Sequence, residues 1–82
     1  MQLTIEQAKA LSEIKTSTAW DILQPVIENM VLDRLGKVMV ADSHMIADYF
    51  RFSARGLTEL RDIVNRSDET LAALQQAEQA GA

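Results

Sequence analysis

Side chains that commonly carry chemistry are sparse in this sequence and form no catalytic pattern. The chain has no Cys and a single His, His44, and no Ser lies at a spacing that would mark a nucleophile–base pair with it. His44 and Asp48, with Asp42 nearby, could form half of a metal site, but a stable site needs three or four ligands. We interpret them as a solvated helix start. The three glycines are isolated, so no phosphate-binding loop is present. The sequence predicts a protein that is not an enzyme and holds no metal or cofactor.

A second group with chemical potential is a set of basic residues that could face nucleic acid, namely Arg51, Arg55 and Arg61 together with Thr58. However, Asp48 precedes Arg51 by three residues and Glu59 follows Arg55 by four, and opposite charges at these spacings pair on one helix. The 12 acidic and 8 basic residues also give a net charge of −4, which repels a phosphate backbone. We favour intrahelical pairing and expect nucleic acid not to be a partner.

The aromatic residues are candidates for protein contacts. Trp20, Tyr49 and Phe50 are expected to pack between helices. Phe52 is expected to point away from the apolar residues that its own helix buries. Phe52 is therefore either an edge-of-core residue or an exposed interface anchor, and both interpretations remain open. The predicted protein interface consists of Trp20, Leu23, Ile27, Met30, Tyr49, Phe50, Phe52 and Leu57.

Helix-period patterns provide the elements that position these residues. Thr4 and Gln7 have the spacing of a capping box, which marks the start of a first helix. The run 15–18 (KTST) interrupts the pattern, because Ser and Thr side chains bond to the local backbone. A break is expected there, with a continuous helix that changes face as the alternative.

A second, long helix is predicted from the apolar residues between Trp20 and Val38. Pro25 either lies inside this helix and kinks it or opens a new helix at its first position, and we favour the kink. Gly36 lies near the expected end, and residues 37–41 either continue the helix for a turn or form a connector.

A third helix is predicted to start with Asp42 or Ser43 as its cap and to bury a stripe that runs from Ile46 to Val64. Gly56 falls in its middle, where Gly costs about 1 kcal/mol relative to Ala; a close approach of another helix would explain it. Ser67 is expected to cap a short last helix, and residues 75–82 are expected to fray.

These elements predict one all-α domain over residues 1–82, built as an antiparallel helical hairpin joined near residues 39–43, with a short helix at each end. A chain of 82 residues buries a modest fraction of its surface. A two-helix hairpin also cannot enclose a wide apolar face. We therefore expect a homo-oligomer or a component of a larger protein assembly.

An alternative organisation is a DNA-binding helix-turn-helix over residues 43–66. In it, one helix would end near Arg51, and Ser53 would cap a recognition helix that carries Arg55, Thr58 and Arg61. The residue at the Arg51 position of that motif is commonly Gly, because the turn tends to need a positive φ. The motif is therefore the weaker interpretation.

Two segments resemble those of a known group of proteins. Residues 17–23 read STAWDIL and residues 55–64 read RGLTELRDIV. The order of a short capped helix, a Trp-x-x-Leu helix and an Arg-Gly-x-x-x-Leu-Arg helix over residues 10–66 resembles small helical proteins encoded among the head and tail morphogenesis genes of tailed bacteriophages. The resemblance implies a continuous third helix and a role in the virion or its assembly, and it carries no catalytic residues.

We therefore expect a structural or adaptor protein that acts by helix-mediated self-association or by docking to a protein partner. A small acidic inhibitor of a partner enzyme is a further alternative. No signal peptide pattern starts the sequence and no apolar run reaches the roughly 20 residues of a membrane span. The expected location is cytoplasmic, in the host cytoplasm or the virion if the chain is phage-encoded, and no membrane is expected as a partner.

Overall fold

A computed structural model describes residues 2–81, and this part of the chain contains four α-helices and no strand. They are α1 (Ile5–Lys15), α2 (Thr18–Met39), α3 (His44–Asn65) and α4 (Ser67–Gly81). The predicted all-α class is confirmed. The chain divides into two compact units: a terminal unit, made of the described residues up to Asp21 and from Asp62 onward, and a central unit, Ile22–Arg61.

Polar side chains start α1 and α3 as the sequence predicts. The Gln7 backbone N–H donates to Thr4 Oγ1 at 3.1 Å, and the Thr4 backbone N–H donates to Gln7 Oε1 at 3.0 Å. This capping box satisfies two backbone donors that a helix start otherwise leaves unpaired. At α3, Ile46 N–H donates to Ser43 Oγ at 3.2 Å, so Ser43 is the cap.

The expected break between the first two helices is confirmed. The hydroxyl of Ser17 donates to the Ile14 carbonyl at 2.6 Å and accepts from the Trp20 backbone N–H at 3.2 Å. One side chain therefore satisfies a carbonyl at the end of α1 and an amide at the start of α2. The alternative of a continuous helix through residues 15–18 is wrong.

Pro25 lies inside α2, which continues past Gly36 to Met39. The favoured placement of Pro25 is therefore confirmed, and the interpretation in which Pro25 opens a separate helix is wrong. Proline removes one backbone N–H from the helical ladder. A kink at this position stays a prediction.

The third helix is uninterrupted from His44 to Asn65, as the resemblance implies. The helix-turn-helix over residues 43–66 is wrong in its geometry, because no turn forms near Arg51. Ser53 is not a cap; its hydroxyl instead accepts from Arg34 Nε at 3.3 Å. A Cβ added to Gly56 would meet nothing within 4 Å, so the close approach expected there is also wrong within the chain.

The start and length of α4 differ from the prediction. Ser67 is not a cap but the first residue of the helix, and its fully buried hydroxyl donates to the Val64 carbonyl at 2.6 Å. The helix is 15 residues long and ends at Gly81, so residues 75–81 of the segment expected to fray are helical. Ala82, the rest of that segment, lies outside the described residues.

In the terminal unit, α1 packs against α4. Ala8 is fully buried and Trp20 is 4% exposed, and the Trp20 indole N–H donates to Asn65 Oδ1 at 3.0 Å. Lys15 Nζ lies 2.9 Å from Asp68 Oδ1. The pKa of the Asp68 carboxyl is lowered, chiefly by the hydrogen bond from Lys15, against a smaller opposing effect of desolvation.

In the central unit, the buried line of α3 passes through Ala47 and Ala54, which lie one heptad apart, and α2 contributes Ile27. The prediction that Tyr49 packs between the helices is wrong, because Tyr49 is exposed. Leu60 is exposed as well, although it lies within the stripe from Ile46 to Val64 that was expected to be buried. Two small alanines on the inner face are compatible with a narrow contact. Tyr49 and Leu60 lie at least about a third of a turn around the helix from these alanines, so they remain outside the contact.

Candidate protein interface

Three contacts join α2 to α3 within the central unit. Arg34 Nε donates to Ser53 Oγ at 3.3 Å, Arg61 Nη1 lies 3.8 Å from Glu28 Oε1, and Lys37 Nζ lies 5.6 Å from the centroid of the Phe50 ring. None of them was predicted from the sequence. They join residues far apart along the chain, for which no local spacing rule applies.

The outer surface of α2 is largely apolar. Leu23, Val26 and Met30 recur at three and four residues, so they share one face, and all three are exposed. Leu32 and Met39, which point elsewhere around the helix, are exposed as well. A helix that is apolar on several faces is typical of one that is covered on more than one side.

A second apolar surface, the α3 stripe, consists of Met45, Tyr49, Phe52, Gly56 and Leu60. The spacings of four, three, four and four residues place them along one side of the helix. Met45 is 83% exposed, Tyr49 65% and Phe52 68%. Large apolar side chains so exposed in a row make the α3 stripe a candidate surface for contact with another protein.

Charged residues flank the α3 stripe and pair along the helix. Arg51 Nη1 lies 3.0 Å from Asp48 Oδ1, and Arg55 Nε lies 3.4 Å from Glu59 Oε1. Both predicted pairs are confirmed. All four side chains are more than half exposed, and exposed pairs of this kind contribute about 0–1 kcal/mol each. Their charged groups could therefore also form ion pairs with a second molecule.

A further charged group lies on α2. Asp33 Oδ2 is 2.8 Å from Arg34 Nη1 and 3.2 Å from Lys37 Nζ. The hydrogen bond from Lys37 is the largest cause that lowers the pKa of Asp33. The same Arg34 reaches Ser53 on α3, so this group links the surface charge of α2 to its contact with α3.

The structure separates the predicted interface residues into three sets. Trp20 and Ile27 are buried at 4% exposure, Phe50 and Leu57 are half-buried, and Leu23, Met30, Tyr49 and Phe52 are exposed. The Phe50 ring meets the Tyr49 ring edge-on with centroids 5.3 Å apart. Four of the eight are thus on the surface of the chain. Val26, Met45 and Leu60 are exposed apolar residues that the prediction missed, although their helical spacing could have indicated them.

The four residues of the nucleic-acid alternative all have partners. Arg51 and Arg55 pair with Asp48 and Glu59, as described above, and Arg61 approaches Glu28. The Thr58 hydroxyl donates to the Ala54 carbonyl at 2.9 Å. Because an acidic group accompanies each arginine, this face has little excess positive charge to attract phosphate.

Two further features are absent from residues 2–81, namely a metal-binding cluster and a membrane-spanning helix. That part of the chain holds no cluster of three or more His, Cys, Asp or Glu side chains placed to bind a metal ion. None of its helices combines the length and the apolar character needed to cross a membrane.

Comparison with known proteins returned no match to a protein-family model, a curated protein or a solved structure. The resemblance to phage morphogenesis proteins therefore stays a prediction.

Proposed function

We propose that the chain is a non-enzymatic assembly protein whose central unit is an antiparallel helical hairpin that associates with further copies of itself. One observation carries the proposal. Fourteen large apolar side chains are exposed in the described part of the chain, and thirteen of them lie between Ile22 and Leu60. In the same unit, Ile27 is the one large apolar side chain that is buried. Apolar surface on this scale favours association.

The order of the contacts between α2 and α3 supports the hairpin. As the contact on α2 moves from Glu28 to Lys37, the contact on α3 moves back from Arg61 to Phe50. The two helices are also joined by a connection of only residues 40–43, and short connections are typical of antiparallel neighbours. The hairpin would present the apolar surfaces of both helices on one small unit.

The exposed area is compatible with an associated chain. The accessible surface is 6178 Å², whereas a folded monomer of this mass is expected to expose about 4,900 Å². The difference, about 1,300 Å², is larger than the roughly 800 Å² that each partner buries in a specific interface. One interface of ordinary size would therefore bring the exposed area close to the usual range.

The biological setting that we propose follows from the resemblance: a component of a phage head or tail, or of its assembly. The charge distribution supports a protein partner over DNA, since the arginines of α3 are accompanied by acidic groups. Charged residues around an apolar surface set orientation and partner choice more than affinity.

The test is the solution mass of the purified chain, measured by light scattering across a dilution series with helicity followed by circular dichroism. We expect an assembly of defined stoichiometry that dissociates on dilution. A helical chain that stays monomeric at every concentration and melts cooperatively would overturn the proposal. Its apolar surface would then await a different protein.

A further inference from the structure

The α3 stripe has an order of side-chain sizes that suits a particular pairing. Met45, Tyr49, Phe52 and Gly56 follow one another at spacings of four, three and four residues, which is the spacing of a coiled-coil seam. Three of these positions carry large exposed side chains. The fourth, Gly56, has open space where a side chain would stand.

We propose that two copies of the chain pair through their α3 helices in antiparallel orientation, with Met45 of one copy facing Gly56 of the other and Tyr49 facing Phe52. This inference rests on the proposed function and names its surface and register. The pair has a two-fold axis between the Tyr49 and Phe52 layers, so each contact occurs twice, as in any isologous dimer.

Side-chain size favours the antiparallel register. The Met45 side chain is unbranched and adaptable, and the space at Gly56 of the second copy receives it. A parallel, in-register pair would instead place Gly56 opposite Gly56 and leave a void at that layer. Voids in a packed interface lose contacts on both sides, so the parallel pair is the poorer one.

Charge complementarity supports the same register. With Met45 opposite Gly56, Asp48 lies beside Arg55 of the second copy, at flanking positions where charges set orientation in coiled coils. The two-fold axis produces this attractive pair twice. In the parallel pair, Asp48 would lie beside the uncharged Ser53. Because Asp48 and Arg55 are exposed and are held only by Arg51 and Glu59 of their own helix, both can also engage a second copy.

Charge reversal tests the register. Asp48→Arg and Arg55→Asp each convert two attractive pairs into two repulsive ones. We expect each to raise the dimer dissociation constant about tenfold, measured by sedimentation equilibrium. The double variant, Asp48→Arg with Arg55→Asp, reverses both members of the pair and is expected to restore the wild-type value.

The double variant also controls for effects within one helix. Asp48→Arg removes the partner of Arg51, Arg55→Asp removes the partner of Glu59, and the double variant carries both losses. Recovery in the double variant therefore reports the contact between copies. Circular dichroism of all three variants checks that helix content is unchanged. The side chains concerned are exposed, and the fold is expected to tolerate them.

Cysteine cross-linking tests the orientation independently, since the chain has no cysteine of its own. A mixture of Met45→Cys and Gly56→Cys chains is expected to form a disulfide between the two variants under mild oxidation. In the antiparallel pair, two Cys at position 45 are about 16 Å apart along the helices. Met45→Cys alone should therefore stay uncross-linked, whereas the parallel pair predicts the opposite.

The outcomes separate this inference from the proposed function. Loss of association in both single variants, recovery in the double variant and cross-linking only in the mixture support the antiparallel α3 pair. Wild-type assembly with no recovery in the double variant, or with cross-linking of Met45→Cys alone, overturns the register and leaves self-association standing. A wild-type chain that is monomeric throughout overturns both.

Discussion

Truncation of Phe52 separates association from folding. Phe52 is 68% exposed in the α3 stripe, and its side chain makes no ring contact with another residue of the described range 2–81. Phe52→Ala is therefore expected to leave the fold intact, because surface substitutions away from special features usually change stability by less than about 0.5 kcal/mol. The same substitution should weaken self-association strongly.

The expected magnitude follows from the exposed area. A Phe side chain offers about 200 Å², of which roughly 135 Å² is accessible here, and Ala retains about a third of it. The loss of about 90 Å² per copy corresponds to about 2 kcal/mol at 25 cal/mol per Å². If the partner covers this area completely, a dimer loses about 4 kcal/mol of binding free energy, because the substitution is present in both copies. If the partner covers half of this area, the substitution costs about 2 kcal/mol of binding free energy, which corresponds to a roughly 30-fold larger dissociation constant.

Leu32 provides a matched control for this measurement. It is 67% exposed on α2, nearly the same as Phe52, but its helical position differs from that of the exposed face of Leu23, Val26 and Met30. We expect Leu32→Ala to change the dissociation constant by less than about threefold. Sedimentation equilibrium gives the constants, and thermal melts followed by circular dichroism report the fold.

Two results would refute this reasoning. An unchanged dissociation constant for Phe52→Ala would remove the α3 stripe from the association surface. Equal weakening by Phe52→Ala and Leu32→Ala would mean that the chains associate without a specific surface, through apolar area in general.

Three further predictions concern the two helical glycines, Trp20 and Asp68. Gly56→Ala and Gly36→Ala should each stabilise the fold by about 0.5–1 kcal/mol in denaturant melts, since an added Cβ meets nothing within 4 Å. Only Gly56→Ala should weaken self-association. Equal dissociation constants for the two variants would contradict the α3 register. Trp20→Phe should destabilise the chain by about 1–3 kcal/mol in the same melts, because a part-buried amide oxygen loses its donor, and an unchanged midpoint would show that water replaces the indole. Because its native pKa is lowered, Asp68 contributes stability above its unfolded pKa, and this contribution is lost as pH falls through the lowered native pKa. Lys15→Met should raise the pKa of Asp68 in a carboxyl NMR titration, and no rise would show that Lys15 is not its cause.

The local elements were predictable because their signals lie within a few residues. The Thr4–Gln7 capping box, the break near Ser17 and the Ser43 cap each depend on a side chain that bonds to backbone groups at most three positions away. The Asp48–Arg51 pair likewise follows from helical spacing. Such contacts need no knowledge of distant parts of the chain.

Other expectations failed where two local choices were nearly equal. Ser53 can cap a helix or lie within one, and its bond from Arg34 accompanies the continuous α3. Ser67 can accept from a backbone amide or donate to a carbonyl, and in this fold it donates to Val64 while fully buried. In each case, the outcome depends on the packing around the hydroxyl.

The amino-acid sequence by itself determined the all-α class, the helix starts and the intrahelical charge pairs, since these depend on backbone hydrogen bonds and on neighbours within one turn. Only the tertiary structure decided which apolar residues are covered: Ala47 and Ala54 are buried, and Tyr49 and Phe52 are exposed. Helical period shows that residues share a face, but not which face meets the neighbouring helix. That choice depends on contacts between residues far apart in the chain, such as Trp20 with Asn65, whose combined packing no local pattern encodes.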